Sequence, residues 1–193
     1  MAVIRAFVAI DLPNDVNKCL EKVSRDLQKH LAGIPIRWVP IHNIHLTLKF
    51  LGDVSESNLE VLKQILDAEA NLQTPFEISV GGLGAFPKIK RPRVIWTGIE
   101  APDELIALQK GIEVQTNRLG YSPDKKPFSA HLTLGRVSRN INLHDLQRVG
   151  DLLDSLKVGF VGAAMIQSIH LYRSDLRPQG AVYTKLHTAQ FGA

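Results

Sequence analysis

The tetrapeptide HLTL stands at residues 45–48 and again, unchanged, at residues 131–134. In each copy histidine and threonine alternate with leucine, which is the period of a β-strand. The two leucines therefore point to one face and the histidine and threonine to the other. A face that presents only leucine predicts burial in a core, so the opposite face must border solvent, a cleft or a polar interior. HLTL thus predicts two equivalent strands, each with an apolar leucine face and a polar face that presents histidine and threonine.

The sequence around the two copies repeats one order of elements. Hydrophobic periodicity predicts strand, helix, strand, helix and strand over residues 3–11, 15–31, 44–50, 57–66 and 76–80, and again over residues 93–99, 103–119, 130–137, 143–156 and 158–161. Ser57 and Glu60 further predict a capping box. The first helix of each copy opens at Asp15 and Asp103, 88 residues apart, and the two histidines are 86 residues apart. This near-constant offset predicts a duplication.

The repeated order predicts an α+β fold of two pseudo-symmetric lobes. Each lobe would be a mainly antiparallel sheet with helices on its outer face, and the active-site cleft would lie between the lobes. The 193 residues suit a single domain of two intimately packed lobes, approximately residues 1–84 and 85–193. Further strands at residues 168–173 and 182–189 would contribute to the first lobe. The repeated strand would meet its copy where the lobes join.

Bulk composition narrows the class of protein. No apolar run approaches the roughly 20 residues that span a bilayer, and the first 13 residues read as a strand, not a secretory signal. The single cysteine, Cys19, excludes an intramolecular disulfide and a cysteine-rich metal site. We therefore expect a cytoplasmic protein.

The charge favours an anionic partner. The formal net charge is +4, and cations concentrate in two loops. Residues 86–93 carry four cations and no acid, and residues 121–127 carry two cations and one acid. Such runs are typical of nucleic-acid contacts, although they also occur as solvated loop tips.

The polar face of HLTL suits acid–base chemistry on a phosphodiester. Imidazole has an unperturbed pKa of about 6.5, so of His45 and His131 one ring can act as a base while the other acts as an acid. Hydrolysis of a cyclic phosphodiester uses both, because water must lose a proton and the departing ribose oxygen must gain one. The hydroxyls of Thr47 and Thr133 can donate to the non-bridging oxygens. This scheme requires no metal and no cofactor.

Two other interpretations of the histidines remain open. A duplicated strand could keep HLTL for packing, although packing would retain the leucines and does not need histidine and threonine on the open face. His42 precedes His45 by three residues, a spacing that could bind a metal from a turn, but no Cys, Asp or Glu cluster lies nearby in sequence. The remaining histidines, at positions 30, 144, 170 and 187, have no recurring context and read as surface or satisfied polar positions.

Taken together, the motifs resemble a known superfamily. The two His-x-Thr motifs are similar to those of the two-histidine (2H) phosphoesterases, and within them to the LigT-like RNA 2′,3′-cyclic phosphodiesterases, also known as 2′-5′ RNA ligases. The resemblance extends over most of the chain. Its matching segments are residues 5–13 (RAFVAIDLP), Trp38, residues 45–52 (HLTLKFLG), Phe86-Pro87, residues 92–96 (PRVIW), residues 131–136 (HLTLGR), residues 174–176 (SDL) and Tyr183.

The resemblance implies roles for six residues. His45 would be the proton donor, His131 the proton acceptor, and Thr47 with Thr133 would bind the phosphate. Phe50 and Arg136, each five residues after a histidine, would contact the nucleotide. Strict alternation places both on the core face, so a bulge or the end of the strand must turn them towards the cleft.

The resemblance also implies the reaction and the partner. Family members open 2′,3′-cyclic phosphate ends of RNA to 2′-phosphates, and some reversibly join tRNA halves through 2′-5′ linkages. We therefore expect RNA ends, with tRNA fragments among them, as partners of a monomer that does not associate with membranes. Three alternatives stay open. They are a phosphodiesterase for a small cyclic phosphate such as ADP-ribose 1″,2″-cyclic phosphate, a non-catalytic RNA- or nucleotide-binding module, and a metallohydrolase that uses His42, His45 and His131.

Overall fold

The computed structural model describes residues 3–178 and 180–192. Within these residues the chain forms nine strands and four α-helices. The strands are β1 (Val3–Ile10), β2 (Ile36–Trp38), β3 (Leu46–Ser55), β4 (Phe76–Lys88), β5 (Arg91–Glu100), β6 (His131–Val137), β7 (Phe160–Ile166), β8 (Ser168–Arg177) and β9 (Gly180–Gln190). The helices are α1 (Asn14–His30), α2 (Leu59–Asn71), α3 (Asp103–Arg118) and α4 (Leu143–Ser155). Short 3-10 helices, Ile41–Asn43 and Glu56–Asn58, precede β3 and α2.

The strands form one sheet in the order β7-β4-β5-β6-β3-β1-β8-β9, with β2 also paired to β6. All neighbouring strands run antiparallel. The two HLTL strands, β3 and β6, are neighbours at the centre of the sheet, where Leu46 lies opposite Leu132. The prediction that the repeated strand meets its copy is therefore confirmed. Strand β4 follows the first HLTL along the chain, yet it pairs with β5 and β7 on the far side of β6.

The leucine face of HLTL lies in the core. Leu46, Leu48, Leu132 and Leu134 are all at most 2% exposed. Helix α3 packs against β3, α4 against β5 and α1 against β7, and their apolar sides complete this core. The predicted α+β class is thus confirmed. No helix in the described ranges is long and apolar enough to cross a membrane.

Two local expectations need correction. The predicted strand at residues 44–50 begins only at Leu46 and continues to Ser55, because the 3-10 helix before it ends just ahead of His45. The capping box is wrong. Ser57 lies inside the second 3-10 helix, α2 begins at Leu59, and no side chain among the described residues caps that start.

Candidate active site

Both histidines stand at the start of their strands. His45 directly precedes β3, and His131 is the first residue of β6. Because Leu46 lies opposite Leu132 in an antiparallel pair, the register sets His45 beside Thr133 and Thr47 beside His131. These four polar side chains line one cavity of about 290 Å³, which we call the histidine cavity.

The same irregularity follows the histidine in both strands. In β3, Thr47 pairs with Ala9 and Lys49 with Val8, so Leu48 is an extra residue. In β6, Thr133 pairs with Trp96 and Gly135 with Ile95, which makes Leu134 the extra residue. A β-bulge of this kind re-aims the side chains that follow it.

The bulges turn two further side chains towards the histidines. Phe50 is 56% exposed instead of buried, and both Phe50 and Arg136 line the histidine cavity. This reversal of the strict alternation is the one that the resemblance required. All six residues singled out from the sequence therefore meet at one cavity.

Backbone carbonyls fix the tautomer of both imidazoles. Nδ1 of His45 lies 2.9 Å from the carbonyl oxygen of Asn43, and Nδ1 of His131 lies 2.7 Å from that of Ser129. Since a carbonyl oxygen can only accept a hydrogen bond, each Nδ1 carries a proton. In the neutral ring Nε2 is then the unprotonated nitrogen, and it can take up or release a proton at the substrate.

Burial depresses the basicity of both rings. Burial lowers the pKa of His45 to about 4, against the opposing effects of the Asn43 hydrogen bond and the Asp11 carboxylate, while Arg136 and His131 lower it further. Burial also lowers the pKa of His131; its bond to Ser129 opposes this and the Arg136 cation adds to it. Both imidazoles of the free protein are consequently neutral at pH 7.

Aromatic rings hold the two imidazoles in place. The His45 ring stacks on Phe7 with 4.7 Å between ring centroids, and it meets Tyr183 edge-on at 5.2 Å. The His131 ring meets Phe86 edge-on at 4.9 Å. Such contacts restrict ring orientation and lower the local polarity. Sequence reasoning did not assign a role to Phe7, which reads as one more apolar residue of a buried strand.

Cations dominate the wall of the histidine cavity. Arg5 from β1, Arg37 from β2 and Arg136 from β6 line it. In the described part of the chain no Asp or Glu lines the cavity, and the side chains of Arg5 and Arg37 make no hydrogen bond or ion pair. Unpaired guanidinium groups around a concave surface attract an anion, and phosphate matches their geometry. Neither basic loop identified in the sequence supplies a lining residue.

A buried lysine supports β3 from the core side. Lys49 follows the bulge, and its side chain is fully buried. Its Nζ donates to Oε1 of Glu113 at 2.7 Å and to the carbonyl oxygen of Ser122 at 2.6 Å. The same Glu113 oxygen accepts a bond from the amide of Asp124 at 2.7 Å. Lys49 and Glu113 therefore tie the loop that leads into β6 to the strand of the other histidine.

The other histidines lie elsewhere. His42 lines a neighbouring cavity, not the one that holds His45 and His131. Over residues 3–178 and 180–192, no three or more His, Cys, Asp or Glu side chains form a group that could hold a metal ion. His170 has Nδ1 3.0 Å from the Thr188 hydroxyl, and His187 has Nε2 2.7 Å from the Asp67 carboxylate.

Known proteins resemble the chain over nearly its whole length. The profile of the family described as LigT like phosphoesterase matches residues 10–96 and 99–183. The RNA 2′,3′-cyclic phosphodiesterase of Methanothermobacter thermautotrophicus is 32% identical over 95% of this chain and 96% of its own. The enzyme of the same name from Archaeoglobus fulgidus is 35% identical over 95% and 98%.

The fold is shared with solved structures. E. coli LigT in complex with 3′-AMP superposes with a TM-score of 0.78 at 26% identity, over 98% of this chain and 99% of that one. The structure of TT0787 from Thermus thermophilus gives a TM-score of 0.79 at 28% identity, over 97% and 98%. Profile, sequence and fold agree on one assignment: the chain belongs to the LigT-like phosphoesterase family.

Proposed function

We propose that this protein hydrolyses 2′,3′-cyclic phosphodiester ends of RNA to 2′-phosphomonoesters, with His45 and His131 as acid and base. The observation that carries the proposal is the pairing of two identically anchored imidazoles in one cationic cavity. Relatives that match almost the full chain are named RNA 2′,3′-cyclic phosphodiesterase, which supports the same substrate class.

The reaction divides between the two rings. Nε2 of His131 takes a proton from water as the water oxygen attacks phosphorus. The bond between phosphorus and O3′ breaks, and Nε2 of His45 gives its proton to O3′, which leaves a 2′-phosphate. Thr47 and Thr133 donate hydrogen bonds to the non-bridging oxygens, where negative charge accumulates. These steps need no metal or cofactor, since both proton carriers are side chains.

Phe50 and Arg136 hold the nucleotide. The exposed ring of Phe50 offers a stacking surface for a base, and the Arg136 guanidinium can stack on a base or pair with phosphate. A histidine cavity of about 290 Å³ lies just below the range for small-molecule sites, roughly 300–1,000 Å³. That size suits one terminal nucleotide.

Substrate binding causes His45 to take up a proton from solvent. With a pKa of about 4 in the free protein, His45 is neutral at pH 7 and cannot act as an acid. A phosphodiester anion in the cavity stabilises the imidazolium and raises that pKa. Substrate binding and protonation of the acid are therefore coupled.

The same site can run a ligation. If the 5′-hydroxyl of a second RNA replaces water, His131 accepts its proton, O3′ leaves as before, and a 2′-5′ phosphodiester forms. Ligation of tRNA halves by this route, a cytoplasmic location and a monomeric state all stay predictions.

Incubation of chelator-treated protein with a short RNA that ends in a 2′,3′-cyclic phosphate tests the proposal. We expect undiminished hydrolysis in EDTA. Activity that disappears on chelation and returns with one divalent ion would favour a metallohydrolase. ADP-ribose 1″,2″-cyclic phosphate in the same assay tests the small-molecule alternative. Binding of the RNA end without turnover would favour the alternative that the protein is a non-catalytic binding module.

A further inference from the structure

A second cavity adjoins the histidine cavity. It measures about 400 Å³ and lies between β2, the turn that follows it and the start of β9. The two cavities share a wall that includes Arg37, Arg136 and Tyr183. A ligand too long for the histidine cavity can therefore continue into the second one without leaving the protein surface.

The second cavity is also cationic. Arg177, near the end of β8, lines it together with Arg37 and Arg136. Among the described residues no Asp or Glu lines it, and the Arg177 side chain has neither a hydrogen bond nor an ion pair. Three guanidinium groups that face one concavity repel one another, and an anion bound between them relieves that repulsion. This charge arrangement fits a phosphodiester.

An aromatic ring lines the same cavity. Trp38 is half-buried, and a Cβ atom on Gly135 would lie 2.9 Å from its ring, so the indole rests directly on the backbone of β6. Single-stranded nucleic acid binds where cations follow its backbone and aromatic rings stack its bases. The second cavity offers both groups, whereas a site for a free anion would need only the cations.

The chemistry of the substrate requires such an exit. Only the last nucleotide of an RNA carries the cyclic phosphate, and its ribose is joined through O5′ to the phosphate of the nucleotide before it. When that last nucleotide fills the histidine cavity, the rest of the RNA must leave the cavity on one side. We propose that the RNA crosses the boundary shared with the second cavity, so that Arg177 pairs with the penultimate phosphate and Trp38 stacks the penultimate base.

This inference rests on the proposed function and extends it to the length of the substrate. It predicts that the protein prefers an oligonucleotide end to a mononucleotide. Arg177 is the residue to change, because it lines the second cavity and not the first. Arg118, an exposed arginine at the end of α3 that bonds only to Gln115, is the matched control because it lines neither cavity.

The test compares two substrates, adenosine 2′,3′-cyclic phosphate and the dinucleotide ApA with the same cyclic end. For Arg177→Gln we expect kcat/KM on the dinucleotide to fall by about 10-fold, as for loss of one charge-assisted bond. Turnover of the mononucleotide should stay unchanged, and Arg118→Gln should change neither. The salt dependence of dinucleotide binding should also flatten, by less than the roughly 0.7 in the logarithmic slope that one phosphate contact contributes on a long single strand.

The outcomes separate the two proposals. Equal losses on both substrates, or no loss on either, would overturn the exit through the second cavity while the proposed function stands. Failure of the unaltered protein to hydrolyse either substrate would overturn the proposed function. In that case the affinities of the unaltered and Arg177→Gln proteins for the dinucleotide decide the exit independently, since the inference requires weaker binding by the variant.

Discussion

Protonation of His45 on substrate binding can be measured directly. In the free protein its pKa is about 4, so only about one molecule in a thousand carries the proton at pH 7. To act as an acid at pH 7, the ring needs its pKa raised by about three units, or roughly 4 kcal/mol. A single negative charge 4 Å away contributes about that much at an effective dielectric constant of 20. One phosphodiester in the histidine cavity is therefore sufficient.

The assay uses His131→Ala, which removes the proposed base and should still bind the substrate. A short RNA with a cyclic end is titrated into this variant at pH 7 by calorimetry, in several buffers that differ in ionisation enthalpy. A pKa raised to about 7 leaves the His45 ring half protonated at pH 7, so we expect uptake of about half a proton per RNA. The diester itself does not titrate in this range. The double variant His45→Ala/His131→Ala is the matched control and should take up none. If His131→Ala binds the RNA without proton uptake, the proposal that His45 becomes protonated on substrate binding and then acts as the acid is refuted.

Four further predictions follow from the site. The pH profile of kcat/KM reports the free enzyme, and because burial lowers the pKa of both His45 and His131, its optimum should lie below pH 6.5. The pH profile of kcat reports the enzyme–substrate complex, so its alkaline limb should lie at higher pH than that of kcat/KM. Coincident alkaline limbs would contradict the coupling of substrate binding to protonation of His45. His45→Ala and His131→Ala should each reduce kcat by roughly 10²–10⁴-fold, with the double variant little worse than either; additive losses would argue against a single concerted step. Lys49→Met leaves the Glu113 carboxylate, which is 18% exposed, without its lysine partner. The change should reduce the free energy of unfolding by about 3 kcal/mol, the low end of the range for a buried pair, whereas Lys49→Met/Glu113→Leu should recover much of it in denaturant titrations. Neutralising the cations of the hairpin at residues 88–91 should weaken RNA binding and flatten its salt dependence by up to roughly 0.7 per lost phosphate contact, and an unchanged slope would identify them as solvated tips.

Most of the fold and half of the site could be predicted from the repeated tetrapeptide. Alternation within HLTL is a local property, so the sequence predicted which side chains enter the core and which enter the cleft. Duplication added the pairing of the two strands. Both inferences are confirmed for His45, Thr47, His131 and Thr133, which line one cavity.

The rest of the site depends on contacts between distant segments. The bulges at Leu48 and Leu134 arise from the pairing with β1 and β5, and strict alternation alone would bury Phe50 and Arg136. The capping box was wrong because Ser57 forms a 3-10 turn before the helix begins.

Charge density in the sequence was a poor guide to the cationic surface. The basic loops stand out as clusters, yet they contribute nothing to the lining of the histidine cavity. Arg5 and Arg37 are single arginines on separate strands, and no local pattern marks them. They converge only because β1 and β2 flank β3 and β6 in the sheet.

The position of the product phosphate tests the paired-histidine mechanism most directly. Chelator-treated protein is incubated with an RNA that ends in a 2′,3′-cyclic phosphate, and the terminal nucleotide is compared with authentic 2′- and 3′-phosphates. A proton delivered by His45 to O3′ expels that oxygen, so we predict a 2′-phosphate alone, and none from His45→Ala. A 3′-phosphate product, or near-native turnover by His45→Ala and His131→Ala, would contradict the mechanism.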